Sequence, residues 1–180
     1  KLKFFFFLLL SLYIVNCAFY IDAQATIRYV SKTGTNTPPY TSWQTAADSI
    51  QKCINICVDG DTIYVANGVY KENLVINTAI SLIGSSMDST VVDGREMGDY
   101  TIKFNTSGAI KNFNIISRGE GYLTSRAVIA IELYTNIEIN NCRISEAGAG
   151  VSLSGDLLAN NLIMRNMTRG FNLFGNISNI

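Results

Sequence analysis

Arg118, Glu120, Tyr122 and Arg126 crowd into a short polar stretch that also contains glycine. Arginines grip carboxylates through paired hydrogen bonds, and a tyrosine ring offers a flat face to a sugar, so this stretch carries the chemistry of acidic-glycan recognition. The competing reading is the ordinary solvated surface of a loop. A second group, Lys103, Glu132, Ser152 and Asn172, falls at one position of a repeated strand pattern. Stacked on one face, these four would line a shallow groove; taken alone, Lys103 and Glu132 make a surface ion pair of about 0–1 kcal/mol. A third group, Asp88, Asp93, Glu96 and Asp99, gathers acids whose spacing fits no calcium-loop pattern, so turn residues are the better reading. No cofactor motif is evident. No pair of carboxylates set for glycoside hydrolysis and no poised base stands out, and catalytic residues are left unassigned.

Metal chemistry is poorly provided for. The chain holds no histidine, and of its four cysteines Cys53, Cys57 and Cys142 lie beyond residue 25. An odd number argues against a disulfide framework, and small buried core residues is the expected role. Lysine and arginine together number 14, matched by 14 acids, with no basic cluster, which disfavours a nucleic-acid partner.

Something must hold these groups in place, and the first segment is not part of it. Lys1 and Lys3 precede an apolar run from Phe4 to Val15 broken only by Ser11, and Ala23-Gln24-Ala25 follows as a small-x-small cleavage site. That is the layout of a signal peptide over residues 1–25, with cleavage after Ala25 and a secreted, cell-surface or periplasmic destination. The run is too short for a good membrane span. Lipidation at Cys17 is the weaker reading, because Asn16 stands where a small residue is expected. Removing Lys1, Lys3 and Asp22 with the leader leaves 12 basic and 13 acidic residues.

Residues 26–60 read as a strand, a polar loop over 34–39 and a helix. Trp43, Ala46, Ala47, Ile50, Cys53, Ile54 and Cys57 recur at helical spacing, with Ser42 as N-cap and Asp59-Gly60 as the stop. From residue 61 the pattern changes to short β-rich runs separated by Gly, Asn, Asp and Ser. Asn140-Asn141 recurs as Asn160-Asn161, Gly150-Val151-Ser152-Leu153 as Gly170-Phe171-Asn172-Leu173, and Gly155-Asp156 as Gly175-Asn176, each at an offset of 20. Three short strands in such a period predict a coil of a parallel β-helix, one strand for each of three sheets. The expected inward ladder is Ile102/Phe104, Ile131/Leu133, Val151/Leu153 and Phe171/Leu173, with Lys103, Glu132, Ser152 and Asn172 facing outward. Asn112, Asn141 and Asn161 are expected at tight corners, bonded amide to amide. The pattern is still running at Ile180, so the chain reads as a piece truncated within the β-helix.

The stretch from Ala46 to Gly94 resembles the N-terminal cap and first coils of the pectin-lyase-like superfamily. The matching residues are the helix, Gly60-Asp61-Thr62-Ile63-Tyr64-Val65, Gly68-Val69-Tyr70-Lys71-Glu72, Ile80-Ser81-Leu82-Ile83-Gly84 and Val92-Asp93-Gly94. The resemblance implies an all-β, right-handed parallel β-helix with an N-terminal capping helix, and contact with extracellular polysaccharide or a cell-surface glycan. Gly68 to Glu72 also looks like the first signature of pectin methylesterases. That family's catalytic Gln-Asp-Thr-Leu and Asp-Phe-Ile-Phe-Gly segments are missing, and Arg126 stands where its Gln-Ala-Val-Ala-Leu segment begins, so esterase activity is not expected. Two classes stay open: a polysaccharide lyase or glycoside hydrolase whose catalytic residues lie beyond this piece, and a non-catalytic, adhesin-like surface scaffold.

Overall fold

A computed structural model describes residues 24–95, 100–117, 127–131, 135–153, 156–173 and 177–178. Its strands are β1 (Ile27–Val30), β2 (Thr62–Val65), β3 (Gly68–Tyr70), β4 (Leu74–Ile76), β5 (Ser81–Gly84), β6 (Thr90–Asp93), β7 (Tyr100–Phe104), β8 (Gly108–Lys111), β9 (Asn114–Ile116), β10 (Ala127–Ile131), β11 (Asn136–Leu153), β12 (Asp156–Leu173) and β13 (Ile177–Ser178). One short helix, α1 (Ile50–Ile54), lies between β1 and β2.

Every pairing between strands is parallel, and the pairs fall into three ladders. The first runs β1, β2, β5, β8 and then the opening residues of β11 and β12 before β13. The second runs β3, β6 and β9 into the middle of β11 and β12. The third runs β4, β7 and β10 into their ends. The long runs β11 and β12 each traverse all three ladders, turning corners at Asn141 and Glu146 and at Asn161 and Asn166, all with positive φ. Parallel connections of this kind are right-handed with few exceptions. The fold is a right-handed parallel β-helix, and β11 pairs with β12 at the offset of 20 read from the sequence.

Alternation turns one residue in two inward. Ile63, Leu82, Ile110 and Ile139 stack in the first ladder, Tyr70, Val92, Ile115 and Ile144 in the second, and Leu74, Ile102, Ile129 and Val151 in the third; all twelve have no solvent exposure. Each large apolar side chain so buried contributes about 1.5–3 kcal/mol. Cys53 and Cys142 are buried free thiols in this core, while Cys57 is half-buried.

The corners behave as expected. Asn112, Asn141 and Asn161 take left-handed backbone, with φ of 63°, 49° and 52°. Asn161 Nδ2 donates to Asn141 Oδ1 at 2.7 Å, and Asn141 Nδ2 donates to Asn112 Oδ1 at 2.9 Å. Asn112 Nδ2 ends the ladder on the carbonyl of Gly84 at 3.2 Å. A side chain at Gly84 would drive its Cβ to 2.3 Å from the Asn112 carbonyl oxygen, which accounts for glycine there.

Two expectations need correction. The helix covers Ile50–Ile54, with Ser49 as its N-cap, instead of residues 43–57 capped by Ser42. Ser42 does accept from Thr45 N at 3.2 Å, but the turn goes no further. The reason is the outer edge of β1: Ala47 N donates to Tyr29 O at 3.0 Å and Ser31 N to Ala47 O at 2.8 Å, so strand-like pairing claims the backbone that a helix would need. Ala46, Ala47, Ile50, Cys53 and Ile54 are buried as the stripe predicts, whereas Trp43 is 47% exposed. The second correction is one of register. Ile129 and Ile131, not Ile131 and Leu133, pair with Ile102 and Phe104 on one side and Val151 and Leu153 on the other.

The cap is built by polar side chains that substitute for missing backbone. The side-chain amide of Gln51 donates to Val75 O at 3.1 Å and accepts from Val75 N at 2.8 Å, completing the open edge of β4. Glu72, from the Gly-x-Tyr-x-Glu segment, accepts from Ser49 Oγ and from the backbone of Ile50 and Gln51 at 2.8–3.1 Å. Tyr70 Oη donates to Ala66 O at 3.0 Å, and burial pushes its phenol up to about 12. That segment is cap architecture.

Candidate functional site

The shift of register changes the outward row of the third ladder. Lys103 is flanked by Val75 and Ala130, and Ser152 and Asn172 follow on the next coils. Ala130 therefore takes the rung that the sequence assigned to Glu132. Lys103 is half-buried, with its ammonium 5.7 Å from the centre of the Tyr100 ring, and Ser152 is half-buried too. Glu132, Arg118, Glu120, Tyr122 and Arg126 lie outside the described residues. So do Glu96 and Asp99. The other two acids of that group are held by arginines: Asp88 by Arg143 at 2.9 Å, and Asp93 by Arg95 at 2.8 Å. Arg95 hydrogen-bonds the Asp93 carboxylate and holds it below the usual carboxylate range against the cost of burial. The row retains one cation, a hydroxyl and an amide, with an alanine in their midst.

A different face gathers more chemistry. On the outer surface of the first ladder, Tyr29 of β1 is the register partner of Tyr64 of β2, with ring centres 6.1 Å apart and planes 26° from parallel. Trp43 packs on Tyr29, centres 4.6 Å apart and planes tilted by 57°. The turn closed by Ser42 and Thr45 places the indole, and Tyr64 remains 37% exposed. Register carries the row on through Ile83, Lys111, Asn140 and Asn160. Beside it runs a second outward row, Ile27, Thr62, Ser81, Ala109, Glu138 and Leu158. Lys111 Nζ lies 3.0 Å from Glu138 Oε2, and Asn140 Nδ2 donates to the other oxygen of that carboxylate.

This strip has an aromatic end and a polar middle. Successive strands of a sheet stand about 4.8 Å apart, so the five steps from Tyr29 to Asn160 span roughly 24 Å. Exposed rings offer flat, polarisable faces to the C–H side of a sugar ring, while Lys111, Glu138 and Asn140 offer donors and acceptors for hydroxyls. The lysine is matched by a carboxylate, so the strip presents no excess charge.

Sequence reasoning missed this face because it assigned Trp43 to the inner side of a helix. The signal that marks it is the Tyr-Val pair that ends both Ile27-Arg28-Tyr29-Val30 and Thr62-Ile63-Tyr64-Val65. In each, the valine is buried and the tyrosine turned outward.

Three stacked parallel ladders with asparagine corners and a polar N-terminal cap define a parallel β-helix protein. No family model matches the chain, and no curated protein matches it. Among solved structures, pectin methylesterase PemA from Erwinia chrysanthemi matches at 16% identity over 76% of this chain, with a TM-score of 0.44. The match covers 56% of that protein's length. Among the described residues no helix is long and apolar enough to cross a membrane.

Proposed function

We propose that this is an exported β-helix protein that binds extracellular polysaccharide along the outer face of its first ladder. The observation that carries the reading is the aromatic cluster in which Tyr29 and Tyr64 occupy successive rungs and Trp43 leans on Tyr29, with Trp43 and Tyr64 exposed to solvent. A row in register with the coils suits an extended polymer, one sugar ring after another, better than a compact ligand. Export rests on the leader and the Ala23-Gln24-Ala25 site. The balanced Lys111–Glu138 pair favours a neutral glycan on this strip. Selection of uronic acids by Arg118 and Arg126 is no part of this assignment. Catalysis is no part of the assignment for these residues.

The test is calorimetric binding to soluble neutral polysaccharides and to polygalacturonate. Each aromatic face is worth about 1 kcal/mol, so Trp43→Ala/Tyr64→Ala is expected to weaken neutral-glycan binding by roughly tenfold or more. Lys103→Ala is expected to leave it unchanged. Binding that is absent for all glycans, or indifferent to the aromatic substitutions, would remove the assignment.

A further inference from the structure

We infer that removal of the leader after Ala25 creates a charged latch, in which the new α-ammonium of Thr26 pairs with buried Asp61 and fastens the first strand to the cap. The inference rests on the cleavage site assigned above, and on geometry that is independent of it. Asp61 has no solvent exposure and collects three donors: Thr26 N at 2.6 Å on Oδ1, and Arg28 Nε at 2.8 Å and Val58 N at 3.1 Å on Oδ2. Arg28 is itself buried and is held by Pro39 O at 2.8 Å.

Thr26 is held by sheet pairing, and its hydroxyl also donates to Gln24 O at 3.1 Å, a bond that leaves with the leader. Its carbonyl accepts from Thr62 N at 3.0 Å, and Ile27 enters register with Thr62 directly afterwards. Gln24 and Ala25 are exposed. Hydrolysis by a signal peptidase breaks the Ala25–Thr26 amide: water supplies hydroxyl to the Ala25 carbonyl and a proton to the Thr26 nitrogen, which takes up a second proton at neutral pH. A neutral donor 2.6 Å from a buried carboxylate thus becomes a cation. Hydrogen bonds with an ionised donor and acceptor are roughly twice as strong as neutral ones. The precursor keeps the neutral bond, so the cap forms more firmly once the leader has gone.

The groups facing the pair are Arg28 from β1 and Cys53 and Cys57 from α1 and the turn after it. The pair raises the ammonium's pKa in the folded state above the ordinary α-amino range of about 7.7–8.0. Its stabilisation is therefore complete below that range and disappears as pH rises through the folded value. Because Cys57 faces the same carboxylate, each chain is also compared in a Cys57→Ser background, in which that thiol no longer contributes.

The experiment has two arms. Intact mass and N-terminal sequencing of the exported protein establish whether Thr26 is the first residue; any other first residue overturns the latch together with the cleavage assignment. Independently, the chain starting at Thr26, released from a cleavable fusion, is compared with the same chain N-acetylated and with one retaining Gln24-Ala25. The free amine is expected to raise Tm by roughly 2–4 °C at pH 6.5 over both, and the gap is expected to close by about pH 10.5. Asp61→Asn is expected to abolish the gap; where that variant fails to fold, the pH profile of the acetylated comparison decides. Equal Tm for free and acetylated chains at pH 6.5, or a gap that persists at alkaline pH, would overturn the inference.

Discussion

Asn141 illustrates how much one side chain can be asked to do in a stacked fold. It holds a left-handed corner, donates to Asn112 and accepts from Asn161, so it ties three coils together. Alanine there removes both amide bonds and strains the backbone, at a cost of about 1–3 kcal/mol. Asn141→Gly is expected to be milder than Asn141→Ala, because glycine accepts positive φ freely. Denaturant unfolding of both variants checks the order; equal losses would mean that corner geometry contributes little. These asparagines were legible in the sequence because their role needs only a residue type at a fixed place in the repeat. Ala130 was not: a slip of two residues preserves the inward and outward alternation, so Ile129-Ala130-Ile131 and Ile131-Glu132-Leu133 fit the pattern equally well.

At the scale of elements, the cap shows tertiary demand overriding local period. The stripe from Trp43 to Cys57 is a sound helical pattern, yet α1 keeps only Ile50–Ile54, because Ala47 is spent on the edge of β1 and Gln44, Thr45 and Ala46 on the loop at 35–37. Helical spacing identifies the inner face of this segment and cannot reveal the strand edge that competes for its hydrogen bonds. Gln51 performs the equivalent service at β4, where its amide imitates a neighbouring strand at Val75. Gln51→Leu would leave two backbone groups of Val75 without their present partners. The expected result is faster amide exchange in β4, with β11 and β12 protected as before. Unchanged exchange at Val75 would show that the edge is closed by other means.

For the whole molecule, fold and site were legible to different degrees for one reason. A stacked coil repeats its inward residues, so the core announces itself in a period of 20 between β11 and β12. Outward residues answer to no such constraint. The aromatic row is assembled from a turn, the first strand and the next coil, at Trp43, Tyr29 and Tyr64, and no repeat links those positions in the sequence. β1 carries both Tyr29 of the proposed strip and Arg28, the partner of Asp61.

Trp43 is the single tryptophan of the chain, and it stands 47% exposed at the end of the proposed strip, so it reports on the site without a label. Titration of the protein with soluble neutral polysaccharide, followed by tryptophan emission, tests the central claim most directly. The expected result is a saturable blue shift, as a sugar ring displaces water from the indole, with its midpoint moved to higher concentration by Tyr64→Ala. Calorimetric binding that leaves the emission of Trp43 unchanged would place the ligand elsewhere and contradict the account.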